Sequence, residues 1–135
     1  PDWARKSVTS AEDLPPAMRL LAAGQLAGLK ALYDAGTLIA AGTDTMIAPN
    51  LHAEIASYVD AGLTPFQALQ TATSSAARAL NLDAGTLEPG KLADVVLVDG
   101  DPRMDIAATF RVQQVVTNGR AYTVRDLLAM SARKP

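Results

Sequence analysis

The segment at residues 38–43, LIAAGT, constrains the fold most, because it is apolar without the alternation of a half-exposed strand. Such a run is typical of a strand that is buried on both faces of a parallel sheet. A predicted helix precedes it, with apolar residues at three-to-four spacing and Gly36 as a left-handed stop. Ser10 and Asp13, followed by two prolines, resemble the start of this helix. A helix, a tight turn and a buried strand form the second half of a βαβ unit and predict an α/β fold.

The middle of the chain is predicted to be helical. Asn50 is a candidate cap for one helix, which ends near Gly62. Thr64, Pro65 and Gln67 then form a capping box with proline at the first helical position. The pair Ser74-Ser75 predicts that this helical stretch is divided in two.

The pattern changes after Leu82, where glycine and proline become frequent between short valine-rich runs. ADVVLV, at residues 93–98, is predicted to be a strand. Asn118-Gly119 joins two further strand segments and is the strongest two-residue hairpin signal. The sequence therefore predicts a helix-strand-helix portion over residues 1–82 and a small β portion over residues 83–135.

Composition excludes several functions. The 135 residues carry 12 basic and 14 acidic side chains without a basic stripe, which argues against nucleic acid or an anionic membrane as a partner. The absence of cysteine excludes thiolate metal ligands and a cysteine nucleophile. No run reaches the roughly 18 apolar residues of a membrane span, and the first residues lack a signal-peptide core, so a cytoplasmic location is expected.

Asp44 directly follows the predicted strand, at the edge where parallel α/β folds place reactive groups. Spacing alone favours a turn aspartate, which caps the next segment or accepts backbone N–H groups, over a catalytic residue. His52 lies in the first turn of a predicted helix, where an exposed polar role is common, and its spacing from Asp44 matches no self-contained metal motif. Glu54 and Asp60 are interpreted as solvated helix charges.

Four ordered motifs resemble the carboxy-terminal end of the metal-dependent amidohydrolase superfamily, in its imidazolonepropionase-like and prolidase-like branch. They are AGTDT, LHAEIASYVDAGLTPFQALQTATSSAARALNL, GTLEPGKLADVVLVDGDP and VQQVVTNGR, and they extend from Leu38 to Arg120. The sequence Gly-Lys-Leu-Ala-Asp at residues 90–94 is especially characteristic. The resemblance implies the last helix-strand-helix units of a (β/α)8 barrel, followed by part of a small β-sandwich.

By that resemblance, Asp44 is a metal ligand that also accepts a proton from a metal-bound water. His52 and Thr43 would lie in the substrate pocket or support the metal ligands. Zinc or another divalent metal is expected in the complete enzyme. The family's other ligands, a His-x-His pair, two later histidines and often a carboxylated lysine, have no counterpart here, and the chain has 1 histidine.

Three functions remain open. The chain is either part of an enzyme that hydrolyses amide-type C–N bonds in an N-acyl amino acid, dipeptide or cyclic amide, or a non-catalytic structural module, or a small-ligand binder near Asp44. The first interpretation predicts that the chain alone is inactive. A buried strand without neighbours is unfavourable in water, so we expect a homo-oligomer, association with a chain that carries the missing strands, or repacking of the first helix.

Overall fold

A computed structural model describes residues 15–43 and 49–131 of the chain. Among these residues, four α-helices come first, followed by three strands, with a 3-10 helix between the first two strands, and a final α-helix. They are α1 (Pro16–Asp34), α2 (Pro49–Asp60), α3 (Pro65–Thr71), α4 (Ser74–Ala79), β1 (Val95–Val98), a 3-10 helix (Ile106–Phe110), β2 (Val112–Thr117), β3 (Arg120–Thr123) and α5 (Val124–Ser131).

Local sequence signals account for most helix boundaries. Pro16 occupies the first position of α1, where a missing N–H costs nothing, and Gly36 adopts φ +81° beyond its end. Thr64 and Gln67 form the predicted reciprocal capping box of α3. The predicted division into two helices is confirmed, because α4 begins at Ser74 after α3 has ended at Thr71. The prediction for Asn50 was wrong, since α2 already begins at Pro49, while Ser10 and Asp13 lie outside the described residues.

The β portion is one antiparallel sheet in the order β1-β2-β3. The hairpin between β2 and β3 turns at Asn118-Gly119, and both residues have the positive φ that such a turn requires. ADVVLV forms β1 as predicted, although the strand is limited to Val95–Val98. The described residues contain only this sheet, so a second layer of a sandwich is not among them.

The core of the helical portion is small. Tyr58, Leu63 and Ala68 form a buried cluster, which brings α2 and α3 together through the loop between them. Partly buried apolar side chains from other elements pack against it: Leu29, Tyr33, Ile39, Ala41, Val59 and Ile106. This cluster joins α1, the segment after it and the 3-10 helix around α2.

The prediction of a strand at residues 38–43 was wrong for this chain, because residues 37–43 are neither helix nor strand. A strand is defined by its hydrogen-bonded neighbours, and the sheet of the described residues is built from β1, β2 and β3 alone. The segment nevertheless contributes Ile39 and Ala41 to the core, so its apolar character is used in packing.

A large apolar surface is open to solvent on α1. Leu20 is 77% exposed, Leu21 64% and Leu32 53%, and α1 has no fully buried residue. The predicted apolar face is therefore only partly covered, chiefly at Leu29 and Tyr33. Within the two described ranges, no helix has both the length and the apolar character needed to cross a membrane.

Candidate functional site

The segment at residues 37–43 precedes the predicted catalytic Asp44. Two of its backbone N–H groups donate hydrogen bonds to the helices beside it. The Ala41 N–H donates to the carbonyl oxygen of Thr71 over 2.9 Å. The Gly42 N–H donates to Oε1 of Glu54 over 3.2 Å. The segment is thereby tied to the end of α3 and to the middle of α2, immediately before Asp44.

Glu54 is itself oriented by a buried tyrosine. The Tyr58 hydroxyl donates to the same oxygen, Oε1, over 2.5 Å, one helical turn further along α2. Tyr58 is only 7% exposed, and its pKa is raised by burial and by the hydrogen bond and charge of Glu54. The hydroxyl therefore stays protonated at neutral pH and remains a donor to the carboxylate.

Sequence reasoning missed this role, because it interpreted Glu54 as a solvated helix charge. The side chain instead accepts two hydrogen bonds, one from Gly42 and one from Tyr58. The four-residue spacing between Glu54 and Tyr58 on a predicted helix was the available signal. The contact with Gly42 joins residues twelve positions apart and has no local sequence pattern.

Asp44, the predicted metal ligand and proton acceptor, lies outside the described residues, so its role stays a prediction. Thr43 is described and is partly buried at the end of the segment. The hydrogen bonds of the Ala41 and Gly42 amides hold the backbone next to Thr43, which is the last described residue before Asp44.

His52 points to a different neighbour. Its ring lies against Phe110 of the 3-10 helix, with ring centroids 5.1 Å apart and planes inclined by 41°. Burial lowers the pKa of His52, which favours the neutral imidazole. Its Nδ1 is buried and has no hydrogen-bond partner among the residues that the structure describes. The predicted pocket role of His52 stays a prediction.

The histidine and carboxylate side chains of the described residues are not arranged to bind a metal ion. Across residues 15–43 and 49–131, no three histidine or carboxylate side chains come together as a candidate metal site. A catalytic zinc site normally needs three protein ligands, and Glu54 is already engaged by two hydrogen bonds. The described residues therefore do not form a catalytic metal site on their own.

A cleft of about 360 Å³ opens at the beginning of the same segment. Gly36, Thr37, Leu38 and Ile39 line it on one side, and Ser74 and Arg78 of α4 are among the residues on the other. It thus lies beside the start of the segment at residues 37–43. The pocket predicted near Asp44 stays a prediction, because Asp44 lies outside the described residues.

Comparison with known proteins identifies the family. A model of the amidohydrolase family matches residues 4–122, which is most of the chain. The chain therefore belongs to the amidohydrolase family, as its motifs predicted.

Curated relatives include two adenine deaminases. The protein from Methanosphaera stadtmanae is 35% identical over 74 residues, covering 55% of this chain and 12% of the relative. The protein from Lysinibacillus sphaericus is 37% identical over 79 residues, covering 57% of this chain and 14% of the relative. The chain thus spans about an eighth of the length of these relatives.

Two solved structures share the fold of a larger part of the chain. A Xaa-Pro dipeptidase with bound methionine in its active site has a TM-score of 0.66 and 30% identity, covering 75% of this chain and 25% of the dipeptidase. An amidohydrolase has a TM-score of 0.65 and 25% identity, covering 73% of this chain and 25% of that protein. The mixed helix and strand architecture is thus that of one quarter of an amidohydrolase.

Proposed function

We propose that this chain is the carboxy-terminal section of a metal-dependent hydrolase that cleaves C–N bonds, with Asp44 as its proton-accepting carboxylate. The family match over residues 4–122, which includes the Gly-Thr-Asp motif, carries the proposal. In the complete enzyme, neighbouring barrel strands would pair with the segment before Asp44 and place this carboxylate among the converging loops, where it can accept a proton from a nucleophilic water and pass it to a leaving nitrogen.

The chain needs further parts of the enzyme for activity under this proposal. It has 1 histidine, whereas a catalytic zinc site normally has three protein ligands. The solved relatives are about four times larger than the matched region, which covers 25% of each. The remaining ligands would come from the barrel strands that correspond to the other three quarters of those proteins.

The exposed apolar surface of α1 supports association with those strands. Leu20 and Leu21 are 77% and 64% exposed, and large apolar side chains left open to solvent on one helix favour an interface there. We propose that the missing barrel strands cover this surface, with a homo-oligomer as the competing arrangement.

The substrate class is a small molecule with a hydrolysable C–N bond. The Xaa-Pro dipeptidase among the structural relatives favours a dipeptide or N-acyl amino acid, in keeping with the prolidase-like branch. The adenine deaminases among the curated relatives favour an amino-substituted ring as the second candidate.

A non-catalytic module derived from an amidohydrolase is the alternative function. Its supporting observation is that the described residues bring together no set of three metal-binding side chains. Under this alternative, the α1 surface would serve a structural interface and Asp44 would have no chemical role.

A graft tests the proposal. We would replace the matched quarter of the Xaa-Pro dipeptidase with this chain and measure dipeptide hydrolysis and bound metal. Activity in the graft, and a loss of at least about a hundredfold in its Asp44→Asn variant, would support the proposal. Asp60→Asn is the matched control, since Asp60 is an exposed residue at the end of α2.

Two results would contradict the proposal. A graft in which Asp44→Asn hydrolyses the dipeptide as fast as its parent would remove the chemical role of Asp44. Hydrolysis of dipeptides or adenine by the 135-residue chain alone would show that no further strands are needed.

A further inference from the structure

We infer that Glu54 is a positioning residue for Asp44, holding the segment at residues 37–43 through the Gly42 amide. The inference rests on the proposed function, because only a chemical role for Asp44 gives this placement a consequence for rate. Its structural part, the anchoring of Gly42, stands independently on the contacts of Glu54.

Two donors converge on one carboxylate oxygen. Oε1 of Glu54 accepts from the Gly42 N–H over 3.2 Å and from the Tyr58 hydroxyl over 2.5 Å. The Tyr58 ring belongs to the buried cluster with Leu63 and Ala68, so the hydroxyl is held by the core. The core thus fixes the carboxylate, and the carboxylate fixes a backbone amide two residues before Asp44.

The neighbouring amide provides an independent second anchor. The Ala41 N–H donates to the Thr71 carbonyl over 2.9 Å, and Thr71 is 1% exposed. Two successive amides are therefore bound to different helices, which restricts the backbone of the segment at residues 37–43.

Substitutions at Glu54 and Tyr58 test which group holds the Gly42 amide. Glutamine keeps a side-chain oxygen that can accept from both Gly42 and Tyr58, whereas alanine removes the acceptor. Tyr58→Phe removes only the hydroxyl that orients the carboxylate and leaves the apolar ring in the core. These three variants separate the acceptor, its orientation and the packing.

Residue-resolved amide hydrogen exchange on the full chain tests the anchoring. We expect Glu54→Ala to accelerate exchange at Gly42 about fivefold to tenfold, with Ala41 unchanged, because the Gly42 amide loses its acceptor whereas the Ala41 amide keeps the Thr71 carbonyl. Glu54→Gln should restore exchange at Gly42 to within about twofold of the parent, and Tyr58→Phe should give an intermediate rate. Unchanged exchange at Gly42 in Glu54→Ala, or equal acceleration at Ala41, would overturn the inference.

Kinetics in the dipeptidase graft test the consequence for Asp44. Glu54→Ala should lower kcat about tenfold with KM within about twofold of the parent, and Glu54→Gln should recover most of kcat. Wild-type kcat in the Glu54→Ala graft would overturn the positioning role. A graft that stays fully active as Asp44→Asn would instead refute the proposed function, while the exchange result would still decide the anchoring.

Discussion

Gly85 offers a sharp test of how the helical portion meets the β portion. Its backbone adopts φ +80°, and a Cβ added there would lie 2.6 Å from the carbonyl oxygen of Thr73 and 2.9 Å from the Cα of Ser74. These neighbours are backbone atoms of the turn between α3 and α4, so they cannot rotate aside. Gly90 has a similar φ of +90° but no atom within 4 Å of its hypothetical Cβ.

Alanine substitutions at the two glycines therefore distinguish the cost of a positive φ, which both positions share, from the cost of steric overlap, which arises only at Gly85. Alanine at a positive φ costs about 1 kcal/mol at either position. Gly85→Ala adds overlap with a packed backbone, which costs about 1–3 kcal/mol more. We expect Gly85→Ala to reduce the free energy of unfolding by about 3 kcal/mol and Gly90→Ala by about 1 kcal/mol.

Urea denaturation followed by far-ultraviolet circular dichroism would measure the difference at constant pH and temperature. The expected result is a markedly lower midpoint for Gly85→Ala than for Gly90→Ala, with similar slopes. Should Gly85→Ala prevent folding, amide exchange of the Gly90→Ala variant would still report native protection, in keeping with the ranking. Equal midpoints for the two variants would refute the close packing of Gly85 against Thr73.

Three further predictions concern stability. Leu63→Ala should lower the free energy of unfolding by about 2–4 kcal/mol, because Leu63 is only 3% exposed. Leu20 is 77% exposed, so Leu20→Ala should change the same free energy by less than about 0.5 kcal/mol. Urea denaturation would measure both. Thr64→Ala should cost about 1 kcal/mol through loss of the helix cap, and Thr64→Ser, which keeps the hydroxyl, should restore most of it in the same assay. Hydrogen bonds from Arg103 lower the pKa of Asp101 from 3.8 to about 2, so this pair stabilises the fold above about pH 4 and loses that contribution as pH falls toward 2. Carboxyl NMR titration would check this value, and an Asp101 midpoint at its ordinary value would contradict the contact.

Short sequence patterns predicted the elements that are set by residues close together in the sequence. The capping box at Thr64, the division before Ser74 and the Asn118-Gly119 hairpin are each set by short-range hydrogen bonds and backbone preferences. The ordered motifs also identified the amidohydrolase family correctly. The predicted boundary between residues 82 and 83 stays a prediction.

Interactions between distant residues could not be predicted in this way. The strand predicted at residues 38–43 depends on neighbouring strands, and the described residues place none beside it. The 3-10 helix at Ile106–Phe110 and α5 at Val124–Ser131 were not predicted. The contact from Gly42 to Glu54 arises only when α2 packs against the preceding segment, so charge patterning assigned Glu54 to solvent.

The zinc content of the purified chain shows whether its residues form a complete metal site or only part of one. Under the proposed function, Asp44 is one ligand of a metal centre whose other ligands lie elsewhere in the enzyme. After dialysis against zinc and removal of free metal, we expect far less than one zinc per chain, with no difference between the parent and Asp44→Asn. One tightly bound zinc per chain that Asp44→Asn abolishes would contradict the account, because it would show a complete metal site within these 135 residues.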